Sequence, residues 1–163
     1  MPWSTPIRIS RLLEDCLNLE GGAQWPPEDK GAYVVSHELW PDGYPAAGTR
    51  PLYVGGTTGK SKRFRTRIGD LLADIHGFYG NETGHHSGGI KLHAYCREYG
   101  VKPGDLYLGW YTEADFCDRC VERSLFEDLK AQVEAQGLVL LNKNAPPACK
   151  AGHAPRPPGW WKV

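Results

Sequence analysis

The chain reads as an α/β (α+β) domain built on a small three-stranded sheet, mixed or antiparallel, flanked by helices. Three observations carry that expectation. Two short β-rich runs, each joining a tyrosine to a glycine, stand on either side of turn material; a third β-rich run follows much later; and the segments between and after them place apolar residues at helical spacing. At 163 residues and 18.1 kDa, with 40% hydrophobic residues, there is enough apolar side chain for one core. No solenoid repeat is visible. The expected organisation is an N-terminal helical extension over residues 1–29, a central domain over 30–145 carrying an insertion at 77–104, and a proline-rich tail over 146–163.

The N-terminal segment is too polar for a secretory signal, and nothing in the chain resembles a transmembrane span. Ile9, Leu12, Leu13 and Cys16 instead mark a short amphipathic helix. A cytoplasmic protein with no membrane partner is expected. GAYVVSHEL (31–39) is β-rich, PLYVG (51–55) is a shorter strand ending in glycine, and WPDGYPAAGTR between them is turn material. If the two runs pair as an antiparallel hairpin, the two-residue side-chain period brings Tyr33 and Tyr53 towards one pocket.

After a glycine-rich loop, Phe64, Ile68, Leu71, Leu72 and Ile75 form the buried stripe of a helix. Its opening is cationic: Lys60, Lys62, Arg63, Arg65 and Arg67. Arg63 and Arg67, four residues apart near the end of the Tyr53 strand, make a fork suited to a phosphate. Read in isolation, such a helix would be a solvated face with Arg67 paired to Asp70.

The insertion at 77–104 contains His85-His86-Ser87-Gly88-Gly89. This run either opens a helix at IKLHAYCRE with Ser87 as its cap, the favoured role, or brings an imidazole to the pocket, where His86 is the candidate proton acceptor if Arg67 displaces a histidine. DLYLGWYTE (105–113) reads as the third strand, and residues 114–137 as a helix with Val121, Leu125, Phe126 and Leu129 on its apolar face and Gly137 at its end.

In this order the elements resemble the GIY-YIG nuclease superfamily, over roughly residues 30–145. The resemblance rests on a GxY strand (Gly31-Ala32-Tyr33), a YxG strand (Tyr53-Val54-Gly55), a helix bearing arginine (Arg63-Phe64), a later helix bearing glutamate (Glu122) and an asparagine beyond it (Asn142). Glu127 and Asn144 are the second choices for the last two. Where the family often has a histidine or tyrosine one turn after its arginine, this chain has Arg67.

What the resemblance implies is a Mg²⁺-dependent endonuclease (Mn²⁺ serving equally) acting on DNA, with RNA as the other polyanion of the same chemistry. Glu122 would hold the metal, Arg63 would clamp the scissile phosphate and Arg67 would add a second cation. Tyr33 would activate water, Tyr53 would position phosphate or water, and Asn142 would hold the geometry by hydrogen bonds. Lys60, Lys62 and Arg65 would contact the nucleic-acid backbone. Two further readings stand beside this one: a binding module of the same fold that has lost cutting, and a zinc-stabilised interaction domain.

The net charge of zero argues against a broad nonspecific grip on DNA and for a small footprint or a special substrate. With no second domain to supply specificity, a second copy or a partner protein is expected to contribute it. The cysteines add a separate motif. Cys117-Asp-Arg-Cys120 and Cys149-Lys-Ala-Gly-His153 have the local spacings of a Cys₃His zinc site, which would tie the tail to the helix carrying Glu122. The alternative is that Cys117 and Cys120 are small core thiols at a helix start. In the tail, Trp160 and Trp161 could stack on bases or cap the core.

Overall fold

The computed structural model describes residues 2–17, 25–41, 43–45, 49–57, 63–78, 86–113 and 116–153. Lys60, Lys62, His85, Trp160, Trp161 and the side chains of Leu13 and Cys16 lie outside the described residues. The elements in chain order are β1 (Ile7–Arg8), α1 (Ile9–Leu17), β2 (Ala32–Ser36), β3 (Pro51–Gly56), α2 (Phe64–Ile75), α3 (Ser87–Tyr99), a 3₁₀ turn (Pro103–Asp105), β4 (Tyr107–Tyr111) and α4 (Asp118–Ala135).

The fold is α+β. Its sheet has four strands rather than the expected three, in the order β1-β4-β2-β3, and every pairing is antiparallel. The added strand comes from the N-terminal segment: Ile7 and Arg8 pair with Leu108 and Tyr107, and an isolated bridge joins Trp3 to Tyr111. A strand two residues long is too short to show alternation in sequence.

Helices cover both faces. Val34 and Val54 face α4, packing with Val121, Leu125, Phe126 and Leu129; Tyr33, Val35 and Leu108 face the other way, onto Ile9 of α1, Phe64 and Ile68 of α2 and Leu92 of α3. Burial on both sides explains why all five residues of β2 are buried instead of alternating. Each fully buried leucine or isoleucine on these helices contributes roughly 1.5–3 kcal/mol through removal from water. The α2 stripe of Phe64, Ile68, Leu71, Leu72 and Ile75 is buried throughout. Among the described residues no helix is long and apolar enough to cross a membrane.

Two features of this frame set up the site. In the β2–β3 hairpin Tyr33 lies opposite Gly55 and Val35 opposite Tyr53, so both phenols project from the same face. β3 is an edge strand, and its outer side is closed by the segment after α4: Leu141 donates its amide to Leu52 O at 2.7 Å, and Asn142 follows.

Candidate active site

The two glycines that end β3 make the site geometrically feasible. A Cβ on Gly55 would fall inside the Tyr33 phenol, and one on Gly56 would stand 2.8 Å from Glu122 Oε2. Because successive strand residues face opposite ways, Gly55 makes room for the tyrosine layer and Gly56 for a carboxylate arriving from α4. Tyr33 and Tyr53 lie with ring centroids 6.2 Å apart, and the His86 ring is 6.1 Å from each.

His86 sits where it does because it is the N-cap of α3; the expected Ser87 cap is not the one formed. His86 Nδ1 accepts from the amides of Gly88 at 3.1 Å and Gly89 at 3.2 Å. A nitrogen that accepts twice carries no proton, so in the neutral ring Nε2 carries it and donates to Tyr33 Oη at 2.7 Å. In this state His86 holds Tyr33 in place and is not the base that takes its proton. The ring's backbone is fastened in turn: its amide donates to Asp74 Oδ2 at 2.5 Å. Ser87, displaced from the capping role, lies close enough to Tyr53 to lower its pKa.

The charged groups come from α2 and α4. Glu122 is 6% exposed and, among the described residues, accepts no hydrogen bond. Burial raises its pKa to about 8; Asp118, one turn earlier on α4, pushes the same way, while Arg67 and Arg119 oppose. Arg67 is half-buried and its Nε is buried with no hydrogen-bond partner; among the described residues it forms no ion pair, and Asp70 is not its partner. Its positive charge reaches Tyr33, Tyr53 and Glu122 alike. Burial holds the Tyr33 phenol well above its ordinary pKa of 10, with Tyr53 and Glu122 adding to the rise and Arg67 opposing it. Tyr53 is raised by burial and by Glu122, and lowered by Arg67 and Ser87. At neutral pH both are therefore protonated phenols, which sets the resting chemistry against Tyr33 as a ready base.

Of the residues singled out in the sequence, Tyr33, Tyr53 and His86 stand together, and the charges of Arg67 and Glu122 reach the two phenols. Arg63 does not join them: it is the residue before α2, its backbone extended (φ −73°, ψ 156°), and its exposed side chain pairs with Glu28. Arg65 turns to the backbone carbonyl of Pro26, with Nε donating at 2.9 Å. Glu127 pairs with Arg123 on the surface. Asn142 works at one remove, through the edge strand: its Oδ1 accepts from Val54 N at 3.0 Å and its Nδ2 donates to Val54 O at 2.8 Å. This side chain stands in for a neighbouring strand. Replacing Asn142 by alanine is expected to cost about 1–3 kcal/mol by stranding both groups of Val54. A fall of roughly 2–12 °C in melting temperature, with the secondary structure retained, is the expected readout.

Asp74 and Asp118 were not anticipated. Asp74 lies inside the apolar stripe of α2 and is 2% exposed, with Oδ1 unpartnered among the described residues; a carboxylate interrupting a buried face was the available signal. Asp118 stands four residues before Glu122, the interval that shares a helix face. Elsewhere, an apolar hollow of about 380 Å³ between α1 and α2, lined by Leu12, Trp25, Ile68, Leu72 and Phe78, lacks such convergent polar groups. Cys117, Cys120, Cys149 and His153 gather near the start of α4 as a set that could hold a metal such as zinc. Compared with protein-family models, curated proteins and solved structures, the chain matches none.

Proposed function

We propose that the chain is a metal-dependent endonuclease that hydrolyses phosphodiester bonds in DNA, with a GIY-YIG-like site. The observation that carries this reading is a guanidinium whose buried Nε has no hydrogen-bond partner together with a buried carboxylate, Glu122, that accepts no hydrogen bond among the described residues, both in the electrostatic reach of two phenols. Buried polar groups are left unmatched at a cost, and a ligand that supplies an anionic oxygen to one and a cation to the other removes it. A phosphodiester with Mg²⁺ does both. The donor chemistry fits: Glu122, supported by Asp118 one turn away, offers hard carboxylate oxygen, which suits Mg²⁺ with its retained waters. Bound there, Mg²⁺ would supply charge neutralisation on the phosphate and acidify a water.

The residues of the chain divide the remaining work. Arg67 presents a planar fork to the non-bridging oxygens. Tyr33, receiving its hydrogen bond from His86, keeps its own proton to donate to a phosphate oxygen or a water; positive charge beside Glu122 would pull its pKa in the same direction as Arg67 does. Tyr53, packed against Gly88 at the start of α3, fixes the opposite wall. A path for the strand is suggested by a groove of about 520 Å³ along α3, where Lys91, Tyr95 and Tyr99 recur every four residues and Arg50 and Glu98 also line the walls. Cations and aromatic faces in line suit a polyanion carrying bases.

A second reading, DNA binding without cutting, is favoured by one observation: Tyr33 rests as a protonated phenol. The test is incubation of supercoiled, branched and single-stranded DNA with the full chain, with Mg²⁺ present or simply omitted. Cutting that requires Mg²⁺ is the expected result. Binding by folded protein with no cutting on any substrate would establish the second reading, and neither binding nor cutting would remove both.

A further inference from the structure

We propose that Cys117, Cys120, Cys149 and His153 hold one structural Zn²⁺ that fastens the segment after Asn142 to the first turn of α4. The four donors come from two stretches of chain. Cys117 and Cys120 bracket the start of α4, and Cys149 and His153 flank a turn at Gly152, where φ is 69°. All four ligating atoms lie within 4.8 Å of one another. Cys117 Sγ is 3.6 Å from Cys149 Sγ; His153 Nδ1 is 3.7 Å from Cys120 Sγ and 3.3 Å from Cys149 Sγ. Bonds of ~2.3 Å to sulfur and ~2.0 Å to nitrogen, set at tetrahedral angles, give S···S edges of ~3.8 Å and S···N edges of ~3.5 Å. The three separations match those edges closely.

Without an ion the arrangement has little to recommend it. Thiols are weak hydrogen-bond partners, and these positions are half-buried or exposed, so no core packing rewards the gathering of three thiols and an imidazole. Three soft thiolates with one imidazole select zinc over magnesium or calcium, and four protein ligands leave no open position for a reacting water. The site is therefore structural. Its surroundings suit thiolates: the amide of Ala151 donates to Cys149 Sγ at 3.4 Å, and Cys117 and Cys120 sit at the positive end of α4.

The position explains what the ion does. Cys117 is the N-cap residue of α4, yet its side chain makes no capping hydrogen bond. In the first turn of the helix that presents Glu122, Asp118 Oδ1 accepts from the Arg119 amide at 3.0 Å but the N-cap position supplies no anchor, and Glu122 lies two residues beyond Cys120. Zinc supplies the anchor and joins it to a segment whose other end is pinned to β3 through Asn142. This role does not depend on whether the chain cuts DNA.

The test begins with elemental analysis of the full chain purified without a metal-affinity tag. One zinc per chain is expected, and Co²⁺ put in its place should give the intense visible bands of a tetrahedral site together with sulfur-to-cobalt charge transfer. Competition with a chromophoric chelator should show zinc affinity at least tenfold lower in Cys149→Ser and in His153→Ala, both outside the core. Cys96→Ser, a buried thiol on α3, should leave affinity unchanged. Folded, reduced protein that takes up neither ion would overturn the proposal. So would undiminished affinity in both tail variants, or a Cys117–Cys149 disulfide in protein kept under reductant. The cobalt spectrum reads the ligand set in the unmodified chain, so the test survives even if a variant fails to fold.

Discussion

Replacing Glu122 by glutamine is expected to abolish Mg²⁺-dependent cleavage and, at pH 8, to raise the melting temperature by roughly 10 °C. The two effects come from one cause. Folding raises the Glu122 pKa from its ordinary 4.5 to about 8, chiefly by burial and then by the charge of Asp118. Between those values the folded chain keeps a proton that the unfolded chain has released, so the folded state binds more protons and stability falls as pH rises. The loss is complete above about pH 8, where it is on the order of 5 kcal/mol, each pKa unit being worth about 1.4 kcal/mol. Glutamine has the same shape and never ionises. Its melting curve should therefore run level with the wild type near pH 4.5 and diverge upward towards pH 8. Thermal melts in metal-free buffer over that range, beside cleavage assays, read both effects. A buried carboxylate that costs stability at neutral pH and above fits the proposed role of Glu122 as metal ligand. Cleavage that survives in Glu122→Gln would remove Glu122 from the site, and superimposable melting curves would remove the burial argument.

How much of this could be read from the sequence follows from how local each feature is. The hairpin that sets Tyr33 beside Tyr53 follows from a two-residue period over two short runs, and the buried stripe of α2 from its 3.6-residue period; neither needs a partner elsewhere in the chain. The fourth strand was hidden because Ile7 and Arg8 form a strand only by lying against Leu108 and Tyr107, a hundred residues away in sequence. The α3 cap shows a different limit. Ser87 is the better cap by residue preference, but His86 takes the role because its imidazole can accept two amides and still reach Tyr33 with the other nitrogen. The choice between arginines was hidden for a third reason. A four-residue interval puts two side chains on one helix face only if both belong to the helix, and Arg63 stands just outside it.

Arg67→Ala is expected to lower kcat/KM for DNA cleavage by ~10²-fold or more, the usual scale for losing a preorganised cationic donor, while Arg63→Ala stays within about threefold. The start of α2 is held to the segment before β2, the amide of Phe64 donating to Asp29 O at 3.1 Å and that of Arg65 to Glu28 O at 3.3 Å. This fastening delivers Arg63 to Glu28 on the surface, where an exposed ion pair is worth at most about 1 kcal/mol. Arg67, one turn inward, loses no ion pair when truncated, because among the described residues it has none; its removal should leave the melting temperature nearly unchanged. Arg67→Lys should recover only part of the rate, since an ammonium keeps the charge but not the fork that meets two phosphate oxygens at once. Rates and melting temperatures measured for the three variants decide among the possibilities. Equal losses in Arg63→Ala and Arg67→Ala would mean that substrate draws Arg63 away from Glu28 and into the site. Loss in Arg63→Ala alone would return the phosphate clamp to the position that the family pattern first indicated.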